Sequence, residues 1–287
     1  MSRIAYVNGR YAPLCDAMVH VEDRGYQFSD GVYEVISLCA GQLVDELPHL
    51  DRLGRSLNEL QIAWPMDRRP LQLVVREVVR RNRLRDGLVY LQISRGSAPR
   101  DHKFPVACEP SLVITVRAAH PPSQDLMEKG AVVITSPDIR WRRCDIKSVS
   151  LLPNVLAKQE AVESGAYEAW LVDEDGLITE GTTSNAWIVT EKSELITRDS
   201  CRAILDGITR RSILSVAARE GIGFQERPFT VAEAKLAREA FITSTSAMVL
   251  PIVQIDGEQV GDGVPGQLTR QLIREYESHV RPSGNGP

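Results

Sequence analysis

Lysine is scarce in this 287-residue chain: six of its 34 basic residues are lysines (Lys103, Lys129, Lys147, Lys158, Lys192 and Lys235), against 28 arginines. Chemistry that needs an amine therefore has few candidates. Cysteine is rarer still. Cys15, Cys39, Cys108, Cys144 and Cys201 are odd in number, widely spread and without a CxxC, which argues against both a disulfide framework and a cysteine zinc site. His20, His49, His120 and His279 lack metal-ligand spacing, so no metal is expected. No apolar run approaches 18 residues, and the opening MSRIAYVNGR has no apolar signal core; the expected location is the cytoplasm. A net charge of −4 gives no bulk attraction to nucleic acid or to an anionic membrane.

What remains is an ordinary globular composition, 43% hydrophobic and 25% charged, which excludes disorder over most of the length. At about 150 residues per domain the chain holds two domains or one large α/β unit. VYEVISLC and VYLQISRG read as strands, the second alternating Val89, Leu91 and Ile93 with Tyr90, Gln92 and Ser94. Leu47, Leu50, Leu53, Leu57 and Leu60 fall at helical spacing, and a second helix is expected from Pro70 through LQLVVREVVRRN. AAHPPSQDL (118–126) is the Pro-rich polar break, which predicts a smaller α/β domain over 1–117 and a larger one over 127–287. Beyond it, AVVIT, EAWLVD, NAWIVT and FITST read as strands. LLPNVLAKQEAVESG, DGITRRSILSVAAREG and about 265–280 read as helices, and the tail RPSGNGP as frayed.

Lys147 lies in RRCDIKSVSLL, between a strand and a helix, with apolar residues on both sides. A lysine entering apolar surroundings loses affinity for its proton and becomes nucleophilic. A loop lysine is ordinarily solvated, so Lys147 acquires meaning from its neighbours. DRGYQFSDGVYEV, DIKSVSLLPNVLAKQEA and ITEGTTSNAWIV, in that order, resemble the fold-type IV pyridoxal 5′-phosphate (PLP) enzymes. That family contains D-amino acid transaminases, branched-chain aminotransferases and aminodeoxychorismate lyases, and the likeness runs from about residue 3 to 278. It implies a two-domain α/β (α+β) fold, with Lys147 on the C-terminal domain as the Schiff-base and proton-transfer lysine. It further implies Glu180 facing the pyridine nitrogen, Ser184 reaching the cofactor through its hydroxyl or water, and Leu205 against the ring.

A phosphate needs convergent donors. DGITR opens a helix whose first N–H groups, at Ile208 and Thr209, favour an anion; the Thr209 hydroxyl, Ser244, Thr245 and Arg52 complete the set that the family implies. On the substrate side, SRGSAPRDHKFP places Arg100 and His102 two apart in an extended loop, able to present two donors to one carboxylate. D-amino acid transaminases carry this Arg-x-His, with a tyrosine that matches Tyr33, and their relatives generally do not. The resemblance thus implies D-amino acid transamination, for example from D-alanine to 2-oxoglutarate, in a homodimer whose Arg-x-His loop crosses the interface. A branched-chain or (R)-amine transaminase, an aminodeoxychorismate lyase and a PLP-binding protein without turnover remain open at this point. The chain departs from the family at Ser29, where glycine is common, at Asp206, where a basic residue is frequent, and at Thr182-Thr183, where serines are common.

Overall fold

A computed structural model describes residues 3–119 and 121–281; His120 and the tail from 282 onward lie outside the described residues. The chain divides into two compact units, Met1–His120 with Ile146–Ser150, and Pro121–Asp145 with Leu151–Pro287.

The first unit has strands Ile4–Val7 (β1), Arg10–Pro13 (β2), Gly31–Cys39 (β3), Gln42–Leu43 (β4), Gly87–Ser94 (β5) and Ser111–Arg117 (β6). They form one antiparallel sheet in the order β2-β1-β6-β5-β3-β4. Its helices are Arg24–Phe28 (α1), Glu46–Glu59 (α2) and Arg68–Asn82 (α3). Along β3 the two-residue period buries Val32, Glu34, Ile36 and Leu38 and turns Tyr33, Val35 and Ser37 to the other face. Leu50, Leu53 and Leu57 of α2 join Val32 and Ile36 in the core, with Leu71, Val75 and Val78 of α3. Leu47, expected on that stripe, is 64% exposed. At 100° per residue it falls off the buried arc, which α2 fills instead with His49, Arg52 and Ser56. α3 begins at Arg68, two residues before Pro70, because proline in a first turn loses no intrahelical hydrogen bond.

Sequence order assigns Lys147 to the C-terminal domain, yet Ile146–Ser150 packs with the first unit. The reason is an open edge. β4 covers only Leu38 and Cys39 at the far end of β3. Near the start of β3, Val32 bridges Ser148, Tyr33 N–H donates to Lys147 O at 3.0 Å, and Val149 N–H donates to Gly31 O at 3.1 Å. Unpaired strand edges are satisfied in this way.

The second unit has strands Ala131–Pro137 (β7), Glu168–Val172 (β8), Ile178–Gly181 (β9), Asn185–Val189 (β10), Leu195–Thr197 (β11), Phe224–Glu226 (β12), Glu239–Ser244 (β13), Met248–Ile255 (β14) and Glu258–Gln259 (β15). Eight run in the order β12-β11-β10-β13-β14-β7-β8-β9, with β15 pairing to β14. Contacts β11/β12, β14/β7 and β7/β8 are parallel and the rest antiparallel, a mixed sheet. Its helices are Gln124–Lys129 (α4), Leu152–Glu163 (α5), Ile208–Arg219 (α6), Val231–Lys235 (α7) and Gln267–Val280 (α8). α4 lies at the end of the stretch expected to be a polar connection, capped by Ser123, whose hydroxyl accepts from Leu126 N–H. Trp170, Ile188, Phe229, Ile242 and Leu250 are fully buried in the core of this unit.

Candidate active site

In the first unit, the buried position of Glu34 on β3 demands partners, and α2 supplies them. Arg52 Nε and Nη2 donate to the two Glu34 oxygens at 2.8 Å each, and His49 Nδ1 lies 2.7 Å from Oε2. Burial by itself would raise the Glu34 carboxyl; the Arg52 guanidinium and the hydrogen bonds from Arg52 and His49 prevail and hold it at about 2. Burial also keeps the His49 ring below its ordinary range, helped by the positive charges of Arg52 and Lys147 and opposed by Glu34. His49 is therefore neutral at pH 7 and donates through Nδ1. One helical turn on, Ser56 Oγ accepts from Lys147 N–H at 3.3 Å. The Lys147 ammonium is half-buried 4.4 Å from the Tyr33 ring centre, and no carboxylate pairs with it among the described residues. Tyr33 in turn stacks on Tyr90 at 5.6 Å.

Arg100 and His102 lie together on one aromatic platform. The Phe28 ring at the end of α1 is 5.0 Å from the Arg100 guanidinium and 5.4 Å from the His102 ring. Arg24 fixes both sides of this arrangement: its Nη1 donates to Asp101 O at 2.6 Å, its Nε donates to Asp30 at 2.8 Å, and its guanidinium lies over the same ring. No hydrogen bond, ion pair or ring contact among the described residues joins Tyr33 to Arg100 or His102. Ser29, the C-cap of α1, has φ 57° and ψ 26°. It is left-handed, the conformation for which glycine is common there, and costs about 1–2 kcal/mol in a residue with a Cβ.

In the second unit, Glu180 is gripped on both oxygens. Arg140 Nη1 donates to Oε1, Asn185 Nδ2 donates to Oε2 at 3.1 Å, and Leu205 N–H lies within 3.2 Å of each oxygen. Asp138 and Thr179 brace Arg140 in its turn. Against the effect of burial, Asp138 and Glu180 raise the Arg140 guanidinium above its ordinary value, so it stays charged. Burial pushes the neighbouring Cys144 thiol up to about 12, which makes it inert as a nucleophile.

The residues expected at a phosphate are placed as follows. Ile208 and Thr209 begin α6, where the first N–H groups have no intrahelical acceptor. Thr209 is buried, with its hydroxyl 3.4 Å from the Tyr276 hydroxyl of α8. Ser244 ends β13 and accepts from Ala247 N–H at 3.0 Å, with Thr245 half-buried beside it. Asp206, one of the departures, is engaged by Arg210 at 3.3 Å and by Arg211 at 2.7 Å. The Ser184 hydroxyl donates to the buried carboxylate of Glu168.

Five residues around these groups are absent from the sequence reading: Glu34, Arg140, Glu168, Asn185 and Phe28. Two left a signal. Glu34 falls on the apolar phase of an alternating strand, and Asn185 closes the run that Glu180 opens. Arg140 is one arginine among 28, and Glu168 is revealed only by the turn folding over it. Among the described residues, no group of three or more His, Cys, Asp or Glu side chains is arranged to hold a metal ion.

Residues 31–255 match the sequence profile of the family described as Amino-transferase class IV. The chain belongs to the class IV aminotransferases. This aminotransferase is 41% identical over 273 residues to the D-alanine aminotransferase of Bacillus licheniformis, covering 95% of either chain. It is 40% identical over 275 residues to the D-alanine aminotransferase of Staphylococcus haemolyticus, covering 96% of this chain and 97% of that one. Among solved structures it resembles the PLP-form (holo-form) of the branched-chain amino acid aminotransferase from Thermobaculum terrenum, at TM-score 0.85 and 25% identity, covering 99% of this chain and 95% of that one.

Proposed function

We propose that this aminotransferase moves the amino group of a D-amino acid, such as D-alanine, to a 2-oxo acid, such as 2-oxoglutarate, using PLP. The reading rests on one observation above the others: Arg100 and His102 share a platform in a chain about two-fifths identical to D-alanine aminotransferases over nearly its whole length. The residue set fits the cofactor in chemistry: a half-buried amine without a carboxylate partner, a carboxylate fixed on both oxygens, and a helix start flanked by hydroxyls. When bound, PLP supplies an aldehyde that condenses with amines and a ring that accepts the electron pair released at the substrate Cα.

The protein's own groups do the rest. Lys147 would hold the cofactor through its amine and move the proton at the substrate Cα. Glu180, steadied by Arg140, Asn185 and the Leu205 N–H, keeps the pyridine nitrogen protonated. Leu205 packs on the ring. The Ile208 and Thr209 N–H groups, the hydroxyls of Thr209, Ser244 and Thr245, and Arg52 hold the phosphate. Arg100, His102 and Tyr33 take the substrate α-carboxylate, and the side of the molecule on which they grip it selects the D configuration.

The active species in this reading is a homodimer in which the Arg100–His102 loop serves the partner's site. This accounts for Tyr33 sharing no hydrogen bond, ion pair or ring contact with Arg100 or His102 among the described residues, and for the apolar residues Leu152, Val155, Leu156 and Val162 standing exposed on α5. A reducing, cytoplasmic setting fits five cysteines that form no disulfide among the described residues. The deciding assay gives the holoenzyme D-alanine, L-leucine and (R)-1-phenylethylamine in turn with 2-oxoglutarate. D-Alanine should be the fastest donor; a preference for either of the others would replace this reading.

A further inference from the structure

Glu168, the first residue of β8, is completely buried, and the proposed chemistry does not use it. No lysine, arginine or histidine pairs with it among the described residues. Buried carboxylates are ordinarily matched by a cation. Here the partners are all neutral, and all come from one turn. Thr182 Oγ1 donates to Oε1 at 2.8 Å, Thr183 donates to the same oxygen through its N–H and its hydroxyl at 2.7 Å each, and Ser184 Oγ donates to Oε2. The turn is built to let the carboxylate in: a Cβ on Gly181 would lie 2.6 Å from Glu168 Oε2 and 2.5 Å from Ser184 Oγ. A side chain at that position would have to push both oxygens aside.

We propose that Glu168 is the positioning residue of this turn, holding it by the hydroxyl protons of Thr182, Thr183 and Ser184, so that none of the three hydroxyls donates to the cofactor. A hydroxyl has one proton. With its proton hydrogen-bonded to Glu168, the Ser184 hydroxyl has only lone pairs to offer, and a phosphate oxygen needs a donor. Thr182 and Thr183 then become intelligible as departures. β-Branching restricts χ1, so threonine aims a hydroxyl at a fixed acceptor more firmly than serine does. The turn matters to catalysis through its ends, because Glu180 precedes it and Asn185, which grips Glu180, follows Ser184 directly. A displacement of the turn therefore loosens the carboxylate assigned to the pyridine nitrogen, and small misplacements in a reacting geometry are costly. This inference rests on that assignment of Glu180.

The test uses Ser184→Ala, Glu168→Gln and the double variant, measuring PLP affinity of the resolved apoenzyme by fluorescence together with kcat and KM of the reconstituted enzyme. Ser184→Ala should keep PLP affinity within about threefold of the parent. Glu168→Gln should lower kcat about tenfold with KM for the amino donor within twofold, and adding Ser184→Ala to it should cost nothing more, since the two residues act as one unit. Weakening of PLP binding by tenfold or more in Ser184→Ala would show that its hydroxyl serves the cofactor and overturn the proposal. So would a Glu168→Gln enzyme that melts earlier yet keeps its kcat, which is the mark of a merely structural group, or strictly additive losses. Should Glu168→Gln fail to fold, Thr182→Val and Thr183→Val decide by the same measurements: retained PLP affinity with reduced kcat supports it, and the reverse pattern overturns it. An unaffected Glu180→Gln enzyme would remove the role of Glu180 while leaving the PLP-affinity result for Ser184→Ala to stand alone.

Discussion

Replacing Glu34 with glutamine isolates the buried clasp that orients Arg52. The Glu34 carboxyl falls from an ordinary value of 4.5 to about 2 in the folded chain. At about 1.4 kcal/mol per unit this is worth about 3 kcal/mol of folding free energy at neutral pH. Because the folded value is the lower one, that stability is complete above pH 4.5 and drains away as the pH falls toward 2. His49 acts in the same direction. Its folded value is also depressed, so below pH 6.5 the unfolded chain takes up a proton that the folded ring resists. Glu34→Gln removes the charge but nearly keeps the shape, leaving Arg52 buried without its counter-ion, a change that costs about 3–5 kcal/mol. Hydrogen exchange of the β3 and α2 amides reads the opening free energy of this region directly. Near pH 7.5 the variant should open about 3 kcal/mol more easily than the parent, and near pH 3 the gap should shrink to about 1 kcal/mol as the parent loses its advantage. A deficit under about 1 kcal/mol at neutral pH, or one that acid leaves unchanged, would refute the reasoning.

Lys147→Ala should abolish transamination and the cofactor adduct that borohydride fixes; near-normal turnover with a reducible adduct would reassign the lysine. Arg100→Ala should lose about 10- to 150-fold in kcat/KM for D-alanine, since a charge-assisted contact is worth about 1.5–3 kcal/mol. The rate with (R)-1-phenylethylamine, which has no carboxylate, should hardly change, and equal losses with both donors would make Arg100 structural. Arg140→Met leaves Asp138 and Glu180 without the cation that joins them, so kcat should fall at least tenfold and thermal stability should drop. A change in KM alone would contradict the support of Glu180 by Arg140.

Much of this was legible from local pattern. The alternation in VYLQISRG and the spacing of Leu50, Leu53 and Leu57 name their own partners, because period fixes face before any tertiary contact exists. The family resemblance rests on three collinear motifs, and the profile match over 31–255 bears it out. What was hidden depends on which elements meet. Glu34 reads as an ordinary strand residue until α2 lies over it with His49 and Arg52. Nothing in ITEGTTSNAW announces that the Ser184 hydroxyl donates to a glutamate from β8. Leu47 belongs to the helical pattern but not to the buried arc, a distinction that the register of α2 decides.

The short segment Ile146–Ser150 also has a consequence for how the protein is made. Its strand contacts complete the first unit, yet the ribosome must first add residues 121–145, which belong to the second. At about 5–20 residues per second this delays closure of the N-terminal sheet by about 1–5 s, long enough for the start of β3 to stay uncovered on the nascent chain. A stop codon near the apparent end of the first unit would release that sheet without Lys147 and with the edge beside Val32 still unpaired. The lysine to which the proposed function assigns the cofactor thus lies in the segment whose arrival finishes the N-terminal fold.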